Sequence, residues 1–210
     1  GVLFFDYDLD GRLDILQVNG HLETQIAEVD PSQSYEQPSQ LFWNAGPDAR
    51  ATFIPIDVAE AGALAEPLVG RGSAYGDLDG DGDLDLVLTQ VGRRAIVLRN
   101  DQQLGHGALR VQLADPTTPA NRDALGAWLE LETTDGVVQR RPVLVTRSYQ
   151  SQSELPVTFG LGPVDDPAAR PIAALRVVWP DGATQSVEPA AWQTLGAGET
   201  LVVTRAADGA

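Results

Sequence analysis

The sequence predicts an all-β fold in two parts, and three observations predict it. Its apolar runs are short, rich in Val, Ile, Leu and aromatic residues, and bounded by Gly, Pro or Asp-Gly, which is strand and turn punctuation. Two stretches repeat one aspartate spacing, each framed by such runs. After Asn100 the aspartate loops stop and a plain series of strand patterns takes over. With 210 residues and 43% apolar composition the chain is long enough to bury a sizeable core.

The first element is Leu3-Phe4-Phe5, which runs into Asp6-Tyr-Asp-Leu-Asp-Gly-Arg-Leu-Asp14 and leaves through Ile15-Leu16-Gln17-Val18. The same arrangement recurs at Asp77-Leu-Asp-Gly-Asp-Gly-Asp-Leu-Asp85, which leaves through Leu86-Val87-Leu88-Thr89. Both loops fit Asp-x-Asp-x-Asp-Gly-x-x-Asp, with carboxylates at positions 1, 3, 5 and 9: Asp6, Asp8, Asp10 and Asp14, then Asp77, Asp79, Asp81 and Asp85. Like charges crowded this closely are costly unless a cation neutralises them. Calcium takes six to eight hard oxygens, so the spacing predicts two Ca2+ sites. Gly11 and Gly82 allow the sharp turn at position 6. Arg12 and Asp83 at position 7 offer backbone carbonyls, with the Asp83 side chain turned outward. An EF-hand shares positions 1, 3, 5, 6 and 9 but needs a bidentate Glu at position 12 and flanking helices. Position 12 is Gln17 or Leu88, and the flanks read as strands, so each loop joins two strands of a hairpin. The plain alternative is a solvated acidic turn without metal.

The repeat continues past the loops: Gln40-Leu-Phe-Trp-Asn44 echoes Ile96-Val-Leu-Arg-Asn100, giving strand, loop, strand, then a further strand ending in Asn. Between them, His21 to Gln40 reads as a long surface loop that hints at a binding surface, and Asp57–Gly62 has a brief helical look. Gly70-Arg-Gly-Ser-Ala-Tyr-Gly76 is not a phosphate loop, since it lacks Lys and leads into a strand; it lets a strand approach its neighbours closely. A boundary is expected near Leu104, separating residues 1–104 from 105–210. The second part offers strands at Leu109–Leu113, Trp128–Thr133, Val143–Val145, Leu175–Trp179 and Thr200–Thr204, a small β-sandwich or barrel. Trp128 and Trp179 are expected in its core, and Asp165-Asp166 in an exposed turn.

Composition removes several chemistries. Thirty acids against fourteen bases, all of them Arg, give a net charge of −16, which argues against nucleic acid or anionic lipid as partner. No Cys is present, so disulfides, thiolate catalysis and Cys-zinc sites are excluded. No apolar run approaches the ~18 residues of a membrane helix. There is no Met, and the chain starts abruptly in a strand pattern, which favours the tail of a longer protein. His21 and His106 each sit beside glycine and read as turn residues with local hydrogen bonds. Ser148 and Ser153 have no evident histidine base, so no triad and no catalytic residue is predicted.

The repeat units resemble FG-GAP (VCBS-type) repeats, the blades of β-propellers. Asn121-Arg-Asp-Ala-Leu-Gly-Ala127, Ser148-Tyr-Gln-Ser-Gln152, Phe159-Gly-Leu-Gly162 and Val178-Trp-Pro-Asp-Gly182 occur in the order of an ASPIC/UnbV domain. The whole arrangement is similar to bacterial relatives of the cartilage acidic protein family. The resemblance implies the C-terminal blades of a calcium-bearing propeller, with further blades upstream or in another chain, because two cannot close a ring. With the calcium chemistry it implies a secreted, periplasmic or cell-surface interaction protein that binds protein or glycan. The alternative is an enzyme or accessory protein of a biosynthetic pathway, with a site in the propeller channel built largely from blades this chain lacks. A pocket that includes His21 or Arg71 would favour the alternative; a broad exposed loop around Tyr35 favours binding.

Overall fold

A computed structural model describes residues 1–164, 171–196 and 198–206, so the Asp165-Asp166 turn lies outside the described residues. The described chain is all-β with several sheets. The first sheet is a four-stranded antiparallel meander of β1 (Val2–Phe5), β2 (Asp14–Gln17), β3 (Gln40–Asn44) and β4 (Phe53–Pro55). The second is a three-stranded meander of β5 (Gly70–Gly76), β6 (Asp85–Gln90) and β7 (Ile96–Leu98). In each, the aspartate loop is the first hairpin connection, and β3 ends on Asn44 as β7 runs on to Asn100.

Alternation sets which face is buried. In β1 the pattern turns Leu3 and Phe5 inward, and β2 adds Leu16, β3 Leu41. These pack against Leu84, Leu86 and Leu88, with Tyr75 and Leu98, so one core lies between the two meanders. Phe5 and Tyr75 stack across it at 6.1 Å between ring centroids. The glycines of β5 serve close approach. A Cβ at Gly70 would meet the Asn19 carbonyl at 2.7 Å, and one at Gly72 would meet the Tyr149 carbonyl at 2.8 Å.

The long segment after β2 lies on the surface but carries one helical turn, α1 (Ile26–Val29). The helical look at Asp57–Gly62 resolves into turns followed by a 3-10 helix at Gly62–Ala65, which buries Leu64. Asp57 holds the turns before it: its carbonyl accepts the Glu60 and Ala61 N–H groups at 2.9 Å and its Oδ1 the Ala59 N–H at 2.8 Å.

The remaining chain builds two sheets across a second core. One is β10 (Val138–Pro142), β9 (Trp128–Thr133), β14 (Ile172–Val178) and β15 (Thr184–Val187), in that order. The other is β13 (Val157–Pro163), β8 (His106–Ala114) and β16 (Thr200–Thr204), with β16 parallel to β8. Leu109, Val111, Phe159 and Leu201 from one sheet meet Leu129, Leu131, Leu175 and Val177 from the other. Helical turn α2 (Ala190–Gln193) adds Trp192. A small hairpin of β11 (Thr146–Ser148) and β12 (Ser151–Gln152) leaves this body and packs against β1 and β5.

Two expectations are corrected. Val143–Val145 is not a strand: Val143 is buried, but its N–H donates to the Ala127 carbonyl at 2.9 Å and its carbonyl accepts from Gly126 at 3.0 Å, so one residue faces two just past the Pro142–Trp128 pair and the ladder ends there. Trp128 is 38% exposed, because alternation along β9 sends Leu129, Leu131 and Thr133 inward and Trp128 out, where Arg140 lies over its ring at 4.8 Å. Trp179 is buried, as expected.

Phe159→Ala should cost about 3–5 kcal/mol by urea unfolding, whereas Phe4→Ala, on an exposed face, should stay within about 0.5 kcal/mol. Asp115 accepts from the Thr117 backbone and hydroxyl and from Arg205, which hold its pKa down to about 2. A depressed carboxylate stabilises the fold above the ordinary Asp value and loses that contribution as pH falls from about 4 toward 2. Arg205→Gln should therefore raise the pH at which acid unfolding is seen by circular dichroism.

Candidate metal centre

Each aspartate loop brings the carboxylates of positions 1, 3 and 9 together. Asp6, Asp8 and Asp14 each offer an oxygen within 4.8 Å of the others, and Asp77, Asp79 and Asp85 do the same. Position 9 opens the next strand in both copies, and its carboxylate ties the repeat together. Asp14 Oδ1 accepts the Asn44 N–H at 2.7 Å, and Asp85 Oδ1 accepts the Asn100 N–H at 2.8 Å. Their second oxygens accept from position 2, Tyr7 at 3.2 Å and Leu78 at 2.9 Å. The Asn at the end of each third strand is thus the partner of the last loop aspartate. Asn100 also donates through Nδ2 to the Tyr7 carbonyl at 2.7 Å, linking the two repeats.

Position 6 is left-handed in both loops, Gly11 at φ 92° and Gly82 at φ 100°, the turn for which glycine was expected. Position 4 is left-handed too: Gly80 in the second loop, but Leu9 at φ 58° in the first.

The other four predicted residues lie outside the two triads. Asp10 at position 5 forms an ion pair with Arg12 and accepts the Arg12 N–H at 2.8 Å. Arg12 in turn donates through Nε to the Asn44 carbonyl at 2.6 Å and lies over the Trp43 ring. Asp81 accepts the Asp83 N–H at 2.9 Å. Asp83 turns its side chain to Gln102, whose N–H it accepts at 3.0 Å.

The two triads differ in surroundings. Asp6, Asp8 and Asp14 are all buried. Burial, reinforced by neighbouring aspartates, pushes the Asp6 carboxyl up to about 8, and burial lifts Asp14 to about 7. Asp6 Oδ2 accepts from Gly11 at 2.9 Å, while Asp6 Oδ1 is buried with no hydrogen-bond partner among the described residues. Asp8 accepts from Trp43 Nε1 at 3.0 Å. In the second loop Asp79 is exposed. Asp77 there forms an ion pair with the buried Arg110, which also holds Glu154 at 2.6 Å. Among the described residues, the first triad is buried with no ion pair to its own carboxylates, whereas the second has Arg110 against Asp77 and Arg99 at 3.7 Å from Asp79.

Several long-range contacts were not readable from the sequence. His106 does not make a local turn bond: its Nδ1–H donates to the Asp8 carbonyl at 2.6 Å. His21 does bond locally, accepting the Glu23 N–H at 2.9 Å. Arg71 is held by the Gly20 and His21 carbonyls at 3.1 and 3.0 Å, and Tyr35 is half-buried, its carbonyl accepting from His21. Ser148 Oγ pairs with Ser73 Oγ at 3.0 Å, and Ser153 Oγ accepts the Tyr75 N–H at 3.2 Å.

Comparison with known proteins adds two findings. Residues 117–204 match the model of the "ASPIC and UnbV" family and form an ASPIC/UnbV domain. The chain is also 27% identical over 227 residues to "Cartilage acidic protein 1" of Xenopus tropicalis, a match covering 87% of this chain and 34% of that protein. The chain therefore spans about a third of that relative's length.

Removing Arg110 leaves the largely buried carboxylates of Asp77 and Glu154 without their cation. Arg110→Ala should cost about 3–5 kcal/mol in chemical denaturation, the penalty of breaking a buried pair.

Proposed function

We propose that this chain is a calcium-stabilised part of an extracellular scaffold protein, with one Ca2+ in each aspartate loop and a protein or glycan partner. The observation that carries this reading is the convergence of the same three positions in both loops. Three carboxylates placed in one pattern twice form, in each loop, a hard, all-oxygen donor set of the kind calcium takes. The buried, unpartnered Asp6 Oδ1 supports it, since such an oxygen is costly unless a cation or proton meets it. The Arg12 and Asp83 carbonyls, with water, would complete the shells. ASPIC/UnbV domains are generally extracellular, where calcium is abundant enough to fill sites of modest affinity.

The two meanders further read as neighbouring propeller blades of FG-GAP type. In the second sheet, Tyr75, Leu86 and Leu98 form a cross-strand row that packs on the first sheet. Their repeat counterparts, Phe4, Ile15 and Phe42, form the same row in the first sheet. There Phe4 is 50% exposed and the other two are half-buried. By the logic of the repeat, this row takes another blade, supplied upstream or by another chain. The segment after β2 supplies the partner surface, with Leu22 and Val29 each at least 80% exposed.

Calcium titration of the chelator-treated chain should give two sites, and Asp14→Asn or Asp85→Asn should each remove one. For sites of ~10–100 μM affinity, ~1 mM calcium adds roughly 1.4–2.7 kcal/mol per site. That corresponds to a melting-temperature rise of roughly 3–10 °C per site, and magnesium should not reproduce it. Absence of binding by calorimetry, with no calcium-dependent shift, would sink the proposal.

A further inference from the structure

The backbone of the first aspartate loop is held from outside the repeat by the C-terminal sheets. His106, opening β8, donates to the Asp8 carbonyl at 2.6 Å. Gly162 in β13 donates its N–H to the Leu9 carbonyl at 2.9 Å. Arg141, just after Arg140 in β10, donates through Nη2 to the Gly11 carbonyl at 2.9 Å. The closest approach is Gly160 in β13, where a Cβ would collide with the Asp6 carboxylate and the Leu9 carbonyl. Gln139 fixes that strand by donating from Nε2 to the Gly160 carbonyl at 2.6 Å. A register shift between Gly160 and Gly162 turns the Gly162 N–H out of its own ladder and toward the loop.

Leu9 shows that these contacts set the loop's shape. A left-handed conformation disfavours a residue with a Cβ, and the second loop uses Gly80 at that position. Leu9 occupies it with its side chain 2% exposed and its carbonyl bonded to Gly162. The conformation is sustained by contact with the C-terminal sheets. Three loop carbonyls, those of Asp8, Leu9 and Gly11, are thereby drawn outward, while the carboxylates of Asp6, Asp8 and Asp14 face one another. The second loop is approached by the side chains of Arg110 and Glu154 and by the chain at Gly198, where a Cβ would meet the Gly80 carbonyl at 2.8 Å.

We infer that the C-terminal sheets are a positioning element of the first metal site, so that their docking on the loop and cation binding within it strengthen each other. This rests on the calcium reading of that loop. Linkage makes the coupling reciprocal: whatever docking does for cation affinity, the cation does for docking. His106 acts through the loop backbone, and Gly160 lies against both that backbone and the Asp6 carboxylate; both are positioning residues. Arg141 also brings positive charge toward Asp6, so its removal would alter charge and contact together; His106 separates the two.

The Gly162 amide reports the junction directly, because its N–H donates across it. Its hydrogen exchange is measured by NMR on the full chain with calcium chloride or with chelator, while Gly11 amide shifts follow calcium filling of the first loop. Calcium should slow Gly162 exchange by about tenfold or more, beyond any change at Leu131 in the opposite sheet. His106→Ala should weaken calcium at the first loop by about 10-fold or more, as loss of an outer positioning partner does. His106→Asn, which keeps an N–H donor near the Nδ1 position, should recover most of that loss. Gly160→Ala should shift affinity the same way; if it fails to fold, the two His106 variants still decide. Calcium binding with Gly162 exchange unchanged, or with affinity unaltered in His106→Ala, overturns the coupling and leaves the calcium reading intact. No calcium binding at all overturns both.

Discussion

The carboxylates of Asp14 and Asp85 each join three pieces of chain: the strand they open, the loop they close, and the end of the third strand of their sheet. A buried carboxylate that accepts two backbone N–H groups is well satisfied. Everything around it must accommodate its polar oxygens. The aspartates of positions 1 and 3 face the same point in each loop, and repulsion among these carboxylates is the constraint to which the rest of the structure answers. In the second loop the answer includes Arg110. In the first, Arg12 goes to Asp10, and the Asp6, Asp8 and Asp14 carboxylates are left facing one another.

The local half of this arrangement was legible in the sequence. The spacing of the loops, glycine at position 6 and the strand-then-Asn echo all reflect interactions within one repeat. Sequence showed that Asn44 and Asn100 correspond, though not that each serves a loop aspartate. It could not separate position 5 from positions 1, 3 and 9, because Asp10 and Asp81 turn to close partners that any acidic turn also provides. The long-range half was hidden. Arg141 meets Gly11 across 130 residues, and His106 meets Asp8 across 98. Nothing local distinguishes those side chains from ordinary surface residues. Gly160 was visible only as part of a motif, and its cause, a loop pressed against it, lies in another sheet.

The two errors in the C-terminal region share one physical lesson. Trp128 is apolar and lies in a strand, but parity along β9 outranks side-chain hydrophobicity, and a neighbouring Arg covers the ring. Val143 is apolar and buried, but its carbonyl and N–H go to two successive residues, Gly126 and Ala127, where the β10–β9 ladder ends. Burial and strand membership are separate questions: the first follows from the side chain, the second from where the N–H and C=O groups go.

The pairing of β16 with β8 has a consequence for how the chain acquires its shape. The two repeat meanders are built from neighbours in sequence and can assemble from locally made pieces as they emerge from the ribosome. The C-terminal sandwich cannot, because β8 waits for β16, which is made after every other described strand. Pairings that close long loops form slowly. The first aspartate loop, whose Leu9 conformation is sustained by contact with β13, therefore settles only once that strand is in place. Order of synthesis thus makes maturation of the earliest repeat wait on the domain made last.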